Sequence, residues 1–157
     1  MIVEYNKNMI YTNIGKNLIT AMKSKDAVTT KTLRMLKSAL GNTAIEKKVK
    51  VEDLTDSEVI VIIRKEIKKC QDAYEGFKLD NRGESMANEL SSVFILAAYL
   101  PKELTPEELE IIAKESILEV NATSKKQMGQ VMKIAIIKAE CRVSSQVLSG
   151  EISKYLS

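Results

Sequence analysis

The stretch LPKELTPEE, residues 100–108, divides the sequence and indicates what lies on either side of it. Pro101 ends the helix that precedes it, because proline has no amide hydrogen to continue the hydrogen-bond ladder. Thr105, Pro106 and Glu108 begin the next helix with a capping threonine, a proline at the first helical position and a glutamate that completes a capping box. These signals predict a domain break after residue 100.

Working outward from this break, amphipathic spacing and capping residues predict helices on both sides and no strands. Before the break they predict helices over 13–25, 28–48, 55–77 and 82–98, the third opened by a capping box of Thr55 and Glu58. After it they predict helices over 105–120, 124–140 and 144–156, the second opened by a capping box of Ser124 and Gln127. The predicted domains are an N-terminal extension (1–12), a four-helix domain (13–100) and a three-helix domain (101–157).

Composition favours the same all-α class. Only two prolines and six glycines occur among 157 residues, fewer turn-forming residues than a β-sandwich or an α/β sheet needs. Aromatic residues make up 4% and apolar residues 45%, so the core is aliphatic. In the first helix, Ile14, Leu18, Ile19 and Met22 have helical spacing. Leu33, Leu36, Leu40, Ala44 and Ile45 are predicted to form one buried face of the second.

Most catalytic and metal-binding chemistry is excluded by residue types. The chain has no histidine and two cysteines, so no Ser-His-Asp triad, Cys-His pair, His-ligated zinc or four-cysteine site can form within it. We expect no cofactor, and we expect Cys70 and Cys141 to act as small buried hydrophobic residues. The longest apolar run, 93–100, is shorter than the roughly 18 residues that span a bilayer. The cytoplasm is therefore expected, and the mitochondrial matrix is disfavoured because the N-terminal segment lacks arginine.

Basic residues concentrate in two segments. Residues 13–50 contain nine bases and two acids, a net charge of +7, and residues 121–157 contain six bases and two acids, a net charge of +4. Such segments can neutralise RNA phosphates, and the scarcity of aromatic residues disfavours base stacking. The alternative is that these side chains only solvate helices or pair with acidic segments. The candidate RNA-binding residues are Arg34, Lys37, Lys125, Lys126, Lys133, Lys138 and Arg142.

Two further groups of residues have structural interpretations. Glu66 with Lys69, and Lys68 with Asp72, have the spacing of ion pairs on an exposed helix face. Gly129 lies within a predicted helix between Met128 and Met132. A glycine within a helix costs up to about 1 kcal/mol relative to alanine, so it is expected where another helix or a ligand approaches the backbone closely. This favours close helix packing at Gly129, with a partner or RNA surface as the alternative.

Five blocks in order resemble the YqeY-like (GatB/YqeY-like) family, over nearly the whole chain after residue 12. TLRMLKSAL, residues 32–40, resembles the family's second helix, and KEIKK with DA, residues 65–69 and 72–73, resembles its third. Arg82 and Glu89, the junction YLP at residues 99–101 and MGQVM at residues 128–132 complete the set. The family's Gly-x-Ala-Asp-Gly loop is replaced here by CRVSS, residues 141–145, in which Ser144 or Ser145 can cap a helix.

The resemblance implies an indirect role in translation. The C-terminal part is similar to the tail domain of the B subunit of the tRNA-dependent amidotransferase, which contacts the outer corner of tRNA while catalysis takes place elsewhere. Family-level descriptions would therefore imply carbon–nitrogen ligase activity with glutamine as amido-N-donor. This chain offers no catalytic residue set for that reaction.

Three functions follow in order of preference. The first is a non-catalytic accessory protein that binds tRNA or a tRNA-amidation or translation complex. The second is a helical protein–protein adaptor that uses the apolar end of the fourth helix or the surface around Gly129. The third is an enzyme or an obligate enzyme subunit, which needs a pocket with converging polar groups.

Overall fold

The computed structural model describes residues 9–157, which form seven α-helices and, within that range, no strand. The all-α class is therefore confirmed. The helices are α1 (Met9–Lys23), α2 (Ala27–Lys47), α3 (Asp56–Leu79), α4 (Gly83–Ala97), α5 (Pro106–Val120), α6 (Met128–Ala139) and α7 (Ser145–Ser153). None of the helices in this range is both long enough and apolar enough to span a membrane.

Contacts between helices group the chain into two compact units, one that ends at Leu100 and one over 101–157. The first contains α1 to α4 and the second contains α5 to α7. Two predicted capping boxes are present. Thr55 and Glu58 cap α3, and Thr105 and Glu108 cap α5, in each case through reciprocal side-chain and backbone hydrogen bonds. Each box satisfies amide groups that would otherwise lack a partner in the first helical turn.

The third predicted capping box is wrong. Ser124 makes no side-chain capping bond, and residues 125–127 form a short 3₁₀ turn before α6. The Oε1 of Gln127 instead accepts a hydrogen bond from the Thr123 amide at 2.9 Å. The Lys125 amide donates to the Ser157 carbonyl at 3.1 Å, so a contact with the chain end, 32 residues away, shapes this turn.

The core of the N-terminal unit is formed by α2 and α3 together with parts of α1 and α4. Leu33, Leu36 and Leu40 are completely buried along one face of α2, as predicted. Ile45 is 75% exposed, contrary to prediction, because it follows the buried Ala44 by a rotation of about 100° around the helix. In α1, Ile14 is buried but Ile19 and Met22 are exposed for the same reason.

Helix α1 begins earlier than predicted, at Met9 rather than residue 13. Ile10 and Tyr11 pack against the N-terminal core, and the Ile10 amide donates to the Oδ1 of Asp56 at 3.2 Å. These long-range contacts stabilise the part of α1 that precedes residue 13. Of the predicted extension over 1–12, residues 1–8 lie outside the described range.

The core of the C-terminal unit is formed by small and branched side chains of α5, α6 and α7. Ala113, Val131, Ala135 and Ile152 are completely buried, and Met128 and Met132 pack partly buried against this core. The connection from α6 to α7 contains Glu140 and Cys141, with left-handed φ values of 49° and 61°. Side chains at such positions cost roughly 1 kcal/mol, because Cβ approaches the following carbonyl oxygen.

Candidate nucleic-acid interface

Arg142 is bound within the C-terminal unit. Its Nε donates to the Lys102 carbonyl at 2.9 Å, and its terminal nitrogen pairs with Glu108 Oε2 at 3.0 Å. The Arg142 carbonyl also accepts from the Leu104 amide at 3.2 Å. The Thr105 amide and then the charge of Arg142 lower the pKa of Glu108. Arg142 therefore holds the segment before α5 against the α6–α7 connection, and its charge is already matched by a carboxylate.

The positive charge of Lys138 is also paired with carboxylates. Its ammonium lies 3.2 Å from Glu115 and 3.3 Å from Glu119, two carboxylates on α5, and its side chain is one-third exposed. The hydrogen bond that the Lys138 ammonium donates to Glu115 is the main cause of the raised pKa of Lys138. Lys138 thus joins α6 to α5. We therefore assign Lys138 and Arg142 a structural role within the C-terminal unit.

Lys125, Lys126 and Lys133 differ from these two residues. All three side chains are exposed, and within residues 9–157 no ion pair involves them. Lys125 and Lys126 lie in the 3₁₀ turn, and Lys133 lies on the exposed face of α6. Of the five C-terminal candidates, these three are the ones whose positive charge is not paired with a carboxylate among the described residues.

Of the two N-terminal candidates, Arg34 lines a shallow depression. Lys25, Lys31 and Arg34 line it together with Met22 and Met35, and its volume is about 590 Å³. Arg34 contacts the sulfur of Met22 at 3.9 Å. Among residues 9–157, no acidic side chain lines the depression. Asp26, which precedes α2, uses its carboxylate to accept hydrogen bonds from Thr29.

Lys37 lies one turn beyond Arg34 on α2 and outside this depression. Its ammonium is 5.6 Å from the centre of the Tyr11 ring, a distance typical of a cation–π contact. Such a contact positions the side chain without neutralising its charge. Lys37 therefore keeps its positive charge beside α1.

No atom of residues 9–157 outside its own helix backbone and chain neighbours packs closely on Gly129, so the packing interpretation of this residue is wrong. A Cβ built at Gly129 would meet no atom within 4 Å, and the residue is exposed. Ile136 and Ile137, two helical turns further along α6, are 47% and 76% exposed. Helical spacing places them on the same side as Gly129, so this surface is partly apolar and open.

The interpretation of Glu66 as a residue on an exposed face is also wrong. Glu66 does pair with Lys69, at 2.7 Å, but it is only 7% exposed. Its spacing predicts this position, because it follows Val59 by seven residues and Ile63 by three, and both are completely buried. The second predicted pair, Lys68 with Asp72, is present at 3.8 Å and exposed.

Neither cysteine forms a disulfide bond, and both are only half-buried. Burial and then the negative charge of Glu89 raise the pKa of the Cys70 thiol to about 11. A thiol with this pKa is about one part in a thousand thiolate at pH 8. Cys70 is therefore a weak nucleophile near neutral pH.

Alkylation should report this directly. Because the thiolate is the reacting form, we expect the rate of Cys70 alkylation by iodoacetamide to rise about tenfold per pH unit from pH 8 to about pH 10. Peptide mass spectrometry measures the rate, and the same cysteine in the urea-unfolded chain is the control. A Cys70 rate that levels off below about pH 9.5, as for an ordinary thiol, would contradict the raised pKa.

A search of curated individual proteins returned no match. The family described as Yqey-like protein matches residues 11–156, which is nearly the whole described chain. The matched region includes both helical units and the junction between them. The chain therefore belongs to the YqeY-like protein family.

Proposed function

We propose that this protein is a non-catalytic accessory protein that binds the backbone of folded RNA, with tRNA as the target. We further propose that α1 to α4 form an N-terminal domain and that α5 to α7 form a tail domain like that of the amidotransferase B subunit. This relationship is the reason to favour tRNA over other folded RNAs. It also connects the protein to glutamine-dependent tRNA amidation without assigning it that catalysis.

One observation carries the proposal. Lys25, Lys31 and Arg34 line a depression to which the described part of the chain contributes no acidic side chain. Phosphate groups bind where several cations converge, because each contact releases condensed counterions from the nucleic acid. The depression is shallow and open, so it suits a phosphate backbone better than a base that must be enclosed and stacked.

The C-terminal unit contributes a second set of cations to the proposal, Lys125, Lys126 and Lys133. They are exposed and have no acidic partner among the described residues. We leave Lys138 and Arg142 out of the proposed interface, because RNA would compete with carboxylates that already bind them.

The test is a mobility shift with unmodified tRNA across a range of salt concentrations. One variant carries Lys25→Gln, Lys31→Gln and Arg34→Gln, and another carries Lys125→Gln, Lys126→Gln and Lys133→Gln. We expect each to weaken binding and to reduce the slope of log affinity against log salt by about one for each phosphate that the variant no longer neutralises.

The matched control removes the same number of charges elsewhere. Lys16, Lys65 and Lys78 are exposed and lie outside the depression, so their replacement by glutamine should leave the slope unchanged. An equal loss in the control would mean that only net charge matters. Absence of a shift at low salt, where screening is weakest, would reject the proposal.

A second candidate function is a protein–protein adaptor. It is favoured by the exposed surface of Gly129, Ile136 and Ile137 on α6 and by Phe94 near the end of α4, which is 70% exposed. Exposed apolar side chains of this size occur at interaction sites. The adaptor becomes the leading candidate if the mobility shift shows no tRNA binding at low salt.

A further inference from the structure

A cleft of about 260 Å³ lies within the N-terminal unit, between α2, α3 and α4. Three helices contribute polar side chains to it: Lys31 and Thr32 from α2, Glu66 and Cys70 from α3, and Asn88, Glu89 and Ser92 from α4. About nine water molecules would fill this volume at liquid density. The cleft is therefore large enough for a small organic molecule and too small for a nucleotide.

Glu66 is the most unusual side chain in the cleft. It is 93% buried, since its exposed fraction is 7%, while the side chain of its ion partner Lys69 is 70% exposed. Removing a carboxylate from water costs several kcal/mol, and a flexible surface lysine compensates for little of this. An apolar residue of similar size would stabilise the core at least as well. Packing therefore gives no reason for a carboxylate at this position.

A pair of hydroxyl groups lies in the same cleft. The Oγ1 of Thr32, which is 5% exposed, and the Oγ of Ser92 are 2.8 Å apart. Thr32 also contacts the Val28 carbonyl at 2.8 Å, and Ser92 contacts the Asn88 carbonyl at 3.0 Å. Two hydroxyl groups have two protons for these three contacts, and most of their lone pairs remain without a donor. This hydroxyl pair thus has more acceptor sites than donor protons.

The lining of the cleft also carries more negative than positive charge. Glu66 and Glu89 carry two negative charges in the lining, and Lys31 carries one positive charge. The pKa of the Cys70 thiol reflects this environment. Burial is the main cause of its raised pKa, and the negative charges of Glu89 and Glu66 raise it further. The positive charge of Lys69 lowers this pKa by a smaller amount. A positively charged donor is the ligand that such a lining favours.

We propose that this cleft binds the ammonium group of a small primary amine. Glu66 is the counter-ion, and Glu89 and the Thr32–Ser92 pair accept the remaining N–H bonds. An ammonium has three donors and no acceptor, which matches the excess of acceptors. The carbon chain of the amine lies against Val28, Met35 and Leu96, the apolar part of the lining. The proposal does not depend on RNA binding.

Protection of Cys70 tests the proposal, because this thiol lines the cleft. The probe is pentylammonium, and pentanol and pentanoate are controls of the same length. We measure iodoacetamide alkylation of Cys70 and Cys141 by peptide mass spectrometry at about pH 9, where the amine is still mostly charged. At about ten times its dissociation constant, pentylammonium should slow Cys70 alkylation about tenfold, while Cys141 keeps its rate.

Two variants identify the counter-ion. Glu66→Gln keeps the shape of the side chain and should abolish protection, whereas Glu75→Gln, an exposed position on the same helix, should preserve it. Glu89→Gln should weaken protection and provides a second test if Glu66→Gln fails to fold, as judged by circular dichroism. Equal protection by pentanol, no protection by pentylammonium, or full protection in both Glu66→Gln and Glu89→Gln would overturn the proposal.

Discussion

Replacing Leu36 with alanine is expected to lower the free energy of unfolding of the N-terminal unit by about 2–5 kcal/mol. Leu36 is 0% exposed and lies between Leu33 and Leu40 in the middle of the buried face of α2. The substitution removes apolar area from the core and leaves a cavity that the surrounding helices fill only in part. The loss is large compared with the 5–15 kcal/mol by which domains are typically stable.

Hydrogen exchange in urea, followed by mass spectrometry of peptides from α2 and α3, measures this loss within one unit. The matched control is Ile45→Ala on the same helix, where the isoleucine is 75% exposed and the expected change is within about 0.5 kcal/mol. Similar losses in the two variants would mean that helix propensity, and not burial, determines the stability of α2.

The second large effect is expected for Ile152→Ala in the C-terminal unit. Ile152 is completely buried on α7, in a core where four of the eight buried side chains are alanines. Because it is one of the four larger side chains of that buried cluster, its loss should cost about 2–5 kcal/mol and expose α5, α6 and α7 to exchange together. A unit of 57 residues over 101–157 has little stability to lose, so this variant should be largely unfolded in that region.

Exchange measured separately for peptides of the two units checks this expectation. Ile137→Ala, at an isoleucine that is 76% exposed in the same unit, is the control and should exchange like the unsubstituted protein. If Ile152→Ala leaves α5 to α7 protected, the buried cluster is not what stabilises them. If it removes protection from α2 and α3 to the same extent, the division of the chain into two units does not describe its cooperativity.

Part of the candidate interface could be predicted from residue types and part could not. The basic character of residues 13–50 and 121–157 follows from counting charges, and exposed Lys125, Lys126 and Lys133 agree with it. The same count of charges cannot distinguish Lys138 and Arg142, which are paired with acids, from these three unpaired lysines. The acids that bind those two residues precede them by 19 to 34 residues, and only the packing of α5 on α6 and its loops brings them together.

The cleft between α2, α3 and α4 was missed for a related reason. Glu66 and Lys69 have the spacing of an ordinary surface ion pair, and that pair is present. The helical spacing of Glu66 from Val59 and Ile63 indicates a buried position. Its charge, however, favours an exposed one, and the sequence-based prediction follows the charge. Thr32 and Ser92, whose hydroxyl groups meet across the cleft, are 60 residues apart.

By itself, the sequence determined the all-α class and two of the three proposed capping boxes. Thr55 with Glu58, and Thr105 with Glu108, act across three residues, so both partners are visible in a short window. Tertiary structure alone decided the open surface at Gly129 and the pairing of Arg142 with Glu108. These features depend on which helix faces which, and that is determined by packing between side chains distant in sequence.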